Sequence, residues 1–192
     1  MPAPNPSAME FLLNRRSRPA KTLTGPGPDR DALEPILTAA ARTPDHGKLE
    51  PWRFIVLQGA ALQRLAGVAE QRGQALGLDE TQIGKGRAQF ADSPLCVAVV
   101  QVERGVEKVP MLEQTYSAGA VCLALLNAAL ASGWGANWLS GWVAHDRGFM
   151  EKALGLTSHE RVAGFIHIGT ETTTPPERPR PEIDAVTDWV SE

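Results

Sequence analysis

Apolar residues recur along this chain at two spacings, and segments with one spacing alternate with segments with the other. Short apolar runs between turn signals predict strands at 52–57, 95–101, 136–139 and 162–168. Apolar positions three and four residues apart predict helices at 9–15, 29–42, 60–74, 81–90, 112–132 and 149–154. We interpret the whole as an α+β fold, a mainly antiparallel sheet flanked by helices.

The longest helical segment, 112–132, is apolar nearly all round. Such a helix is expected to be buried on every side, and a chain of 192 residues rarely has room for that within one subunit. We therefore interpret it as the central helix of a homodimer. Its most apolar part, 118–131, contains Asn127 and is too short to cross a bilayer, so no membrane role is expected.

Length and composition predict one domain, 1–192, in which 1–7 and the extreme C-terminus are flexible or in contact with a second subunit. The segment 170–181 is too rich in proline to form a core of its own. The last stretch, 183–190, is a candidate for packing on a neighbouring subunit.

The charge and the cysteines exclude further classes of protein. A net charge of -3 leaves no basic footprint for nucleic acid. Cys96 and Cys122 stand inside apolar runs, and we expect buried thiols rather than a disulfide. Free thiols and the absence of a signal-peptide pattern at the N-terminus fit a cytoplasmic protein.

Three consecutive residues after the first helix, Arg15, Arg16 and Ser17, offer two guanidinium groups and a hydroxyl. A guanidinium group can grip two phosphate oxygens at once, so the trio is suited to a phosphorylated ligand. The three side chains cannot all point the same way, and the sequence does not say which arginine turns to the ligand. The alternative is a solvated helix C-terminus, where cations suit the helix dipole.

A second polar segment follows the second helix, which Asp29 or Asp31 can cap and Pro44 should end. Arg42, Pro44 and His46 stand at this predicted corner, where a rigid turn would present backbone N–H groups and an imidazole. The alternative is structural: His46 as a local hydrogen-bonding residue, Asp45 as a turn former and Trp52 as a core residue.

Several common sites are excluded by spacing. The four histidines show no metal-ligand spacing, neither cysteine has a Cys-x-x-Cys partner, and no Gly-x-Ser-x-Gly elbow occurs. Gly133-Trp134-Gly135 lacks the third glycine of a dinucleotide-binding turn. We therefore predict neither a metal site nor an ordinary nucleotide-binding loop.

Four segments together resemble the nitroreductase family. Arg15-Arg16-Ser17 is similar to its Arg-x-Ser element, and 43–54 is similar to its Ser-Pro-Ser-Ser-x-Asn-x-Gln-Pro-Trp element. Trp138-Leu139-Ser140-Gly141 resembles the stretch that lies along the flavin ring, and Arg178-Pro179-Arg180-Pro181 the C-terminal basic pair that helps to hold the phosphate. The resemblance extends from residue 9 to about 190 and is closest to the short NAD(P)H nitroreductase branch.

The resemblance implies an intertwined homodimer with FMN at the subunit interface, where the second element comes from the partner. It implies hydride transfer from NAD(P)H through the flavin to a small-molecule acceptor, a nitroaromatic or a quinone, with ping-pong kinetics. The flavin-binding residues it implies are Arg15, Arg16, Ser17, Arg42, Pro44, His46, Trp138, Leu139, Ser140, Arg178 and Arg180. No side chain is assigned a catalytic role, because the ring accepts hydride and the protein supplies orientation and positive charge.

The chain departs from the family pattern at several of these positions. Asp45-His46 replaces the Ser-Ser of larger members, Lys48 and Glu50 stand where asparagine and glutamine are common, and Leu139 replaces an arginine found in the short branch. The acceptor therefore stays open. Two other functions also stay open: a non-catalytic flavin- or ligand-binding protein on the same fold, and a helical scaffold dimer without cofactor.

Overall fold

Five strands form one antiparallel sheet in residues 3–105 and 107–192, the part of the chain that the computed structural model describes. The strands are β1 Leu23–Thr24, β2 Trp52–Leu57, β3 Leu95–Val102, β4 Gly135–Leu139 and β5 Glu160–Glu171. The helices are α1 Pro6–Asn14, α2 Arg30–Ala40, α3 Ala60–Ala75, α4 Glu80–Ala91, α5 Met111–Ala131 and α6 Arg147–Leu154. The predicted α+β fold with a mainly antiparallel sheet is confirmed.

The long strand β5 joins the two halves of the sheet. One edge of β5 pairs with β3, which in turn pairs with β2. Its other edge pairs with β4 from Phe165 to Gly169 and then with β1. The strands β2 and β4 therefore lie on opposite sides of the central pair.

Helices cover both faces of the sheet. On one face α3, α4 and α6 pack on Cys96, Ala98 and Val100 of β3, and on the other α2 and α5 pack on its alternate residues. Because successive side chains of a strand point to opposite faces, both sets of β3 residues are buried, as the uninterrupted apolar run predicted.

The helix α5 is buried on one face and exposed on the other. Val121, Cys122 and Leu125 are fully buried against the sheet and α2, whereas Tyr116 and Leu123 are 65% and 45% exposed. One chain therefore buries a single face of α5, and the predicted burial on every side would need a second subunit. With 21 residues and a mean hydropathy of 1.2, α5 is long and apolar enough to cross a membrane, but it packs on the sheet as a core helix does.

Local sequence signals determine some helix and strand boundaries, and tertiary pairing determines others. Asp29 caps α2, its carboxylate accepting the Ala32 N–H at 2.9 Å. The strand β1 lies in the proline- and glycine-rich segment 17–28, outside the predicted strands and helices, because only its pairing with the end of β5 makes it a strand. The C-terminal stretch forms one exposed turn, Ile183–Val186. Of the N-terminal segment 1–7, residues 1 and 2 lie outside the described part.

Candidate functional site

Three guanidinium groups converge at the end of α1 and form, with Ser17, what we call the arginine cluster. Arg15 follows the last turn of α1, and its Nη2 donates to Ser17 Oγ at 3.0 Å. Burial and the nearby charges of Arg180 and Arg16 hold the pKa of Arg15 below its ordinary value. The cluster therefore concentrates positive charge on a partly desolvated group, which an anion would stabilise.

One hydrogen-bond donor of Arg15 has no partner in the described part of the chain. Its Nε is buried and has no hydrogen-bond partner among residues 3–105 and 107–192. A buried donor without a partner is costly, and native proteins retain few of them unless a ligand, water or ion completes the site. The adjoining cleft has a volume of about 310 Å³ and includes Asn14, Leu130 and Trp134 in its walls.

The other two arginines of the cluster make contacts with the proline-rich tail, segment 170–181, or within it. Arg16 donates through Nε and Nη2 to the carbonyl oxygen of Pro176, at 3.3 and 3.4 Å. Arg180 forms an ion pair of 2.7 Å with Glu177. Arg178 is exposed, and its backbone N–H rather than its side chain contacts Glu177. The structure thus brings Arg180 to Arg15 and leaves Arg178 in solvent.

The segment after the arginine cluster lies along β4. The N–H of Arg18 donates to the carbonyl of Ala136 at 2.8 Å, and the side-chain amide of Asn137 donates to the carbonyl of Arg18 at 2.7 Å. Arg18 also forms an ion pair with Glu171 at 3.3 Å. These contacts fix the cluster relative to the predicted ring-contacting residues at the end of β4.

The predicted wall residues Trp138 and Leu139 face opposite sides of the sheet, since they are consecutive in β4. The indole of Trp138 lies directly on Gly164, where a Cβ atom would stand 2.1 Å from the indole Nε1. Leu139 instead lines a cleft on the side of α4, with Gly141 beyond the strand end. Ser140, between them, is half-buried. The two wall residues therefore cannot line the same cleft.

The cleft beside Leu139, which we call the lysine cleft, contains two cations that the sequence did not single out as ligands. Its volume is about 370 Å³, and Lys21, Lys85 and Gln89 line it. The side-chain Nε2 of Gln89 is buried and has no hydrogen-bond partner in the described part of the chain. A signal existed for α4: Lys85, Gln89 and Asp92 recur at helical spacing on one face. Lys21 has no comparable signal.

A buried histidine forms part of the wall of the lysine cleft. His167 Nδ1 lies 2.9 Å from Ser93 Oγ, and Ser93 donates to the carbonyl of Leu95 at 3.0 Å. Because Ser93 donates there, the consistent arrangement has Nδ1–H of His167 donating to Ser93. Burial lowers the pKa of His167 to about 4, so the ring is neutral at physiological pH.

The second predicted segment forms a rigid corner at the other end of α5, here called the histidine corner. The carbonyl of Pro44 accepts a hydrogen bond from Ser117 of α5 at 3.1 Å, and Ser117 accepts one from the Trp52 indole at 3.2 Å. His46 Nδ1 lies 2.6 Å from the carboxylate of Glu113. An open cleft of about 360 Å³ is lined by Pro44, His46, Glu113 and Ser117 together with Asp45 and Tyr116.

Two of the structural alternatives for this segment hold. The carboxylate of Asp45 accepts the backbone N–H of Glu50 at 2.5 Å, so Asp45 closes the turn. The ring of Trp52 is half-buried and packs at 6.0 Å from that of Phe54. Arg42 lies apart from the corner, in a shallow depression of acidic α2 residues that includes Asp31 and Glu34.

The arginine cluster and the histidine corner lie at opposite ends of α5. Glu113, which contacts His46, is in its first turn, and Leu130, which lines the cleft of the arginine cluster, is in its last. At about 1.5 Å of rise per residue, these positions are roughly 25 Å apart along the helix. One chain therefore does not bring all the predicted residues around one ligand. Within the described residues, no group of three or more His, Cys, Asp or Glu could hold a metal ion.

Comparison with known proteins gives a consistent result. The family model described as "Nitroreductase family" matches residues 12–170. "Putative NAD(P)H nitroreductase YdjA" of Escherichia coli strain K12 is 37% identical over 163 residues, which cover 85% of this chain and 87% of that protein. The nitroreductase-like family protein of Bacillus cereus has a similar fold, with a TM-score of 0.81, 23% identity and 99% coverage of both chains. The FMN and NADPH-dependent nitroreductase NfnB of Sphigopyxis sp. strain HMH superposes with a TM-score of 0.74 and 18% identity, over 96% of this chain and 99% of that one.

Proposed function

This chain belongs to the nitroreductase family, and on that premise we propose that it is an FMN-dependent oxidoreductase. It would take hydride from NAD(P)H and deliver it to an electron-poor small molecule, with a nitroaromatic or a quinone as the acceptor class. The NAD(P)H-dependent name of the 37% identical relative and the FMN-dependent name of the structural neighbour support the two cofactors.

The observation that carries this proposal is the unfilled donor of Arg15. A phosphate dianion in the arginine cluster would accept from the buried Nε and offset the repulsion among Arg15, Arg16 and Arg180. Ser17 would orient the guanidinium group through its contact with Nη2. The donor set therefore fits the phosphate of FMN.

The lysine cleft fits the pyrimidine end of the flavin ring. When bound there, the flavin accepts and donates hydride at its N5 atom, and positive charge near N1 and O2 favours its reduced form. Lys21 and Lys85 supply that charge in this proposal. The unfilled amide of Gln89 is positioned to donate to a ring carbonyl oxygen.

The separation of the two halves supports a homodimer with the flavin at its interface. The histidine corner lies roughly 25 Å along α5 from the residues that would hold the phosphate in the same chain. A second subunit could bring its own corner to the lysine cleft, with the exposed apolar side chains of α5 packed between the subunits. Those side chains are Leu112, Tyr116 and Leu123. Arg178 and the C-terminal stretch 183–190 would also lie at this subunit interface.

Ping-pong kinetics follow if NAD(P)H and the acceptor use the same face of the ring in turn, because neither can bind while the other occupies it. No separate nicotinamide domain is then needed.

A single 192-residue domain without disulfides would function in the cytoplasm.

The test is a visible absorption spectrum of the purified protein, followed by heat release and identification of the chromophore. We expect one FMN per chain, and bleaching of its absorbance by NADPH or NADH under anaerobic conditions. Steady-state oxidation of NAD(P)H with benzoquinone or a nitroaromatic then separates an enzyme from a flavin-binding protein, which would hold flavin without turnover. A colourless protein that refused added FMN would contradict the proposal and favour a dimer without cofactor.

A further inference from the structure

The histidine corner holds an acid–base pair that flavin binding alone does not require. The Nδ1 atom of His46 and a carboxylate oxygen of Glu113 are 2.6 Å apart, a short hydrogen bond of the kind that charged partners form. Because the carboxylate accepts, Nδ1 carries the hydrogen, and this fixes the tautomer of the ring. The second nitrogen, Nε2, makes no side-chain hydrogen bond within the described residues and is the group left for the cleft.

The corner that carries this pair is rigid on both sides. Ser117 links the carbonyl of Pro44 to α5, and Asp45 closes the turn by accepting the N–H of Glu50. Glu113 belongs to the first turn of the 21-residue helix α5. A side chain held between two fixed elements can present a proton in one direction with little reorganisation.

Reduction of a quinone or a nitro group needs protons as well as hydride. We propose that His46 delivers the proton to the acceptor, and that Glu113 is the positioning residue that orients its ring. This inference rests on the proposed function, since the acceptor must lie on the flavin at the subunit interface. The histidine corner of one subunit then faces the lysine cleft of its partner.

The proton balance is simple for a quinone acceptor. Hydride bonds to one carbonyl oxygen, the ring electrons move to the other oxygen, and that oxygen takes the proton from Nε2 of the imidazolium form of His46. The quinone gains two electrons with the hydride and leaves as the hydroquinone; a flavin bound at the interface would supply that hydride. The neutral imidazole then takes a proton from solvent through its exposed edge.

The charged and titratable neighbours of His46 are few. Asp45 and Glu113 line the cleft with the phenol of Tyr116, and Lys48 is exposed on the same turn. Asp45 is already engaged by the backbone of Glu50, so Glu113 is the carboxylate that contacts the imidazole.

A second exposed pair in the chain provides a matched control. His159 Nδ1 lies 3.6 Å from Glu103, and their side chains are 74% and 49% exposed. This pair is longer than the His46–Glu113 pair and lines none of the clefts described above. Replacement of His159 therefore removes an exposed imidazole without touching the corner.

The experiment separates the two half-reactions by stopped-flow absorbance of the FMN-loaded protein. Each protein is reduced anaerobically with NADPH and then mixed either with benzoquinone, which takes up protons, or with ferricyanide, which takes up electrons only. We expect His46→Gln to lower the benzoquinone-to-ferricyanide rate ratio at least tenfold. We expect Glu113→Gln to lower it three- to tenfold, and His159→Gln to leave it as in the parent protein.

The dependence on the acceptor is the readout that a structural role would not reproduce, because a distorted corner should slow benzoquinone and ferricyanide alike. An unchanged rate ratio in His46→Gln would overturn the proton-donor role while leaving the proposed function intact. A parent protein that binds no FMN, or whose FMN is not bleached by NADPH, would overturn both.

Discussion

The arginine cluster is partly buried within one chain, whereas the histidine corner is largely exposed. In the cluster, Arg15 is partly desolvated and lies near the charges of Arg16 and Arg180. Its buried Nε has no hydrogen-bond partner among the described residues. At the corner, the side chains of His46 and Glu113 are 59% and 45% exposed, and their cleft is open. The cluster is thus a partly buried group of charges within one chain, whereas the corner is a surface open to solvent.

This difference indicates how the proposed active site divides between subunits. In the proposed site, the phosphate would be bound by charges of one chain, those of the residues after α1 and of the tail. The corner that closes over the flavin ring would come from the second subunit, because α5 separates the corner and the cluster of one chain by roughly 25 Å. Interface changes and cluster changes should therefore have separable effects.

The largest effect is expected from a charge at the centre of the exposed face of α5. Leu123→Asp would bury an unpaired carboxylate between subunits and should weaken self-association by about 3 kcal/mol, or at least a hundredfold. Flavin should be lost with the dimer, because the corner of the partner leaves with it. Light scattering after size-exclusion chromatography and the flavin-to-protein absorbance ratio measure both.

The matched control for that substitution is Leu76→Asp. Leu76 at the end of α3 is 47% exposed, close to the 45% of Leu123, and should tolerate the same charge. A Leu123→Asp protein that remained a flavin-loaded dimer would place the subunit interface elsewhere.

A smaller effect is expected from removal of the buried guanidinium group. A hydrogen bond to a charged group contributes about 1.5–3 kcal/mol, so Arg15→Ala should raise the Kd for FMN roughly ten- to a hundredfold. Self-association should persist, since no interface side chain is changed. Titration of the apoprotein with FMN, followed by flavin fluorescence, measures the change.

Arg16→Ala is the informative companion, because Arg16 contacts the carbonyl of Pro176 and acts mainly by holding the tail that carries Arg180. It should weaken FMN less than Arg15→Ala does. Arg161→Ala, an exposed arginine of β5, should leave the Kd unchanged. If Arg16→Ala raised the Kd for FMN more than Arg15→Ala did, Arg16 rather than Arg15 would be the main phosphate ligand.

The sequence predicted most of the fold because local pattern and tertiary burial agree. The strand Trp52–Leu57 matches its predicted limits, and the apolar run of β3 is buried on both faces. The strand β1 was missed because Leu23 and Thr24 stand among prolines and glycines, and only the end of β5 completes their hydrogen bonds. A two-residue strand defined by its partner leaves no periodic signal.

The candidate site was predictable only where the proposed ligand-binding residues are consecutive in the sequence. Arg15, Arg16 and Ser17 form one motif, and the structure keeps them together with Arg180. Lys21 and Lys85 come from a loop and from α4, and only the packing of the fold places them in one cleft. The spacing of residues in the sequence could not show that Arg42 lies apart from the histidine corner. The opposite facing of Trp138 and Leu139, in contrast, follows from their consecutive positions in the predicted strand 136–139.

The smallest effect is expected at Ser17, which touches the cluster through one hydrogen bond of 3.0 Å from Arg15 Nη2. In Ser17→Ala the guanidinium group keeps its charge and loses one constraint on its orientation. A single hydrogen bond is worth about 0.5–1.5 kcal/mol net, so the Kd for FMN should rise roughly two- to tenfold. Ser17→Thr keeps the hydroxyl and should restore part of the affinity, and Ser158→Ala, an exposed serine, should change nothing. A loss as large as that of Arg15→Ala would mean that the hydroxyl itself binds the phosphate, whereas no loss would mean that burial alone orients Arg15.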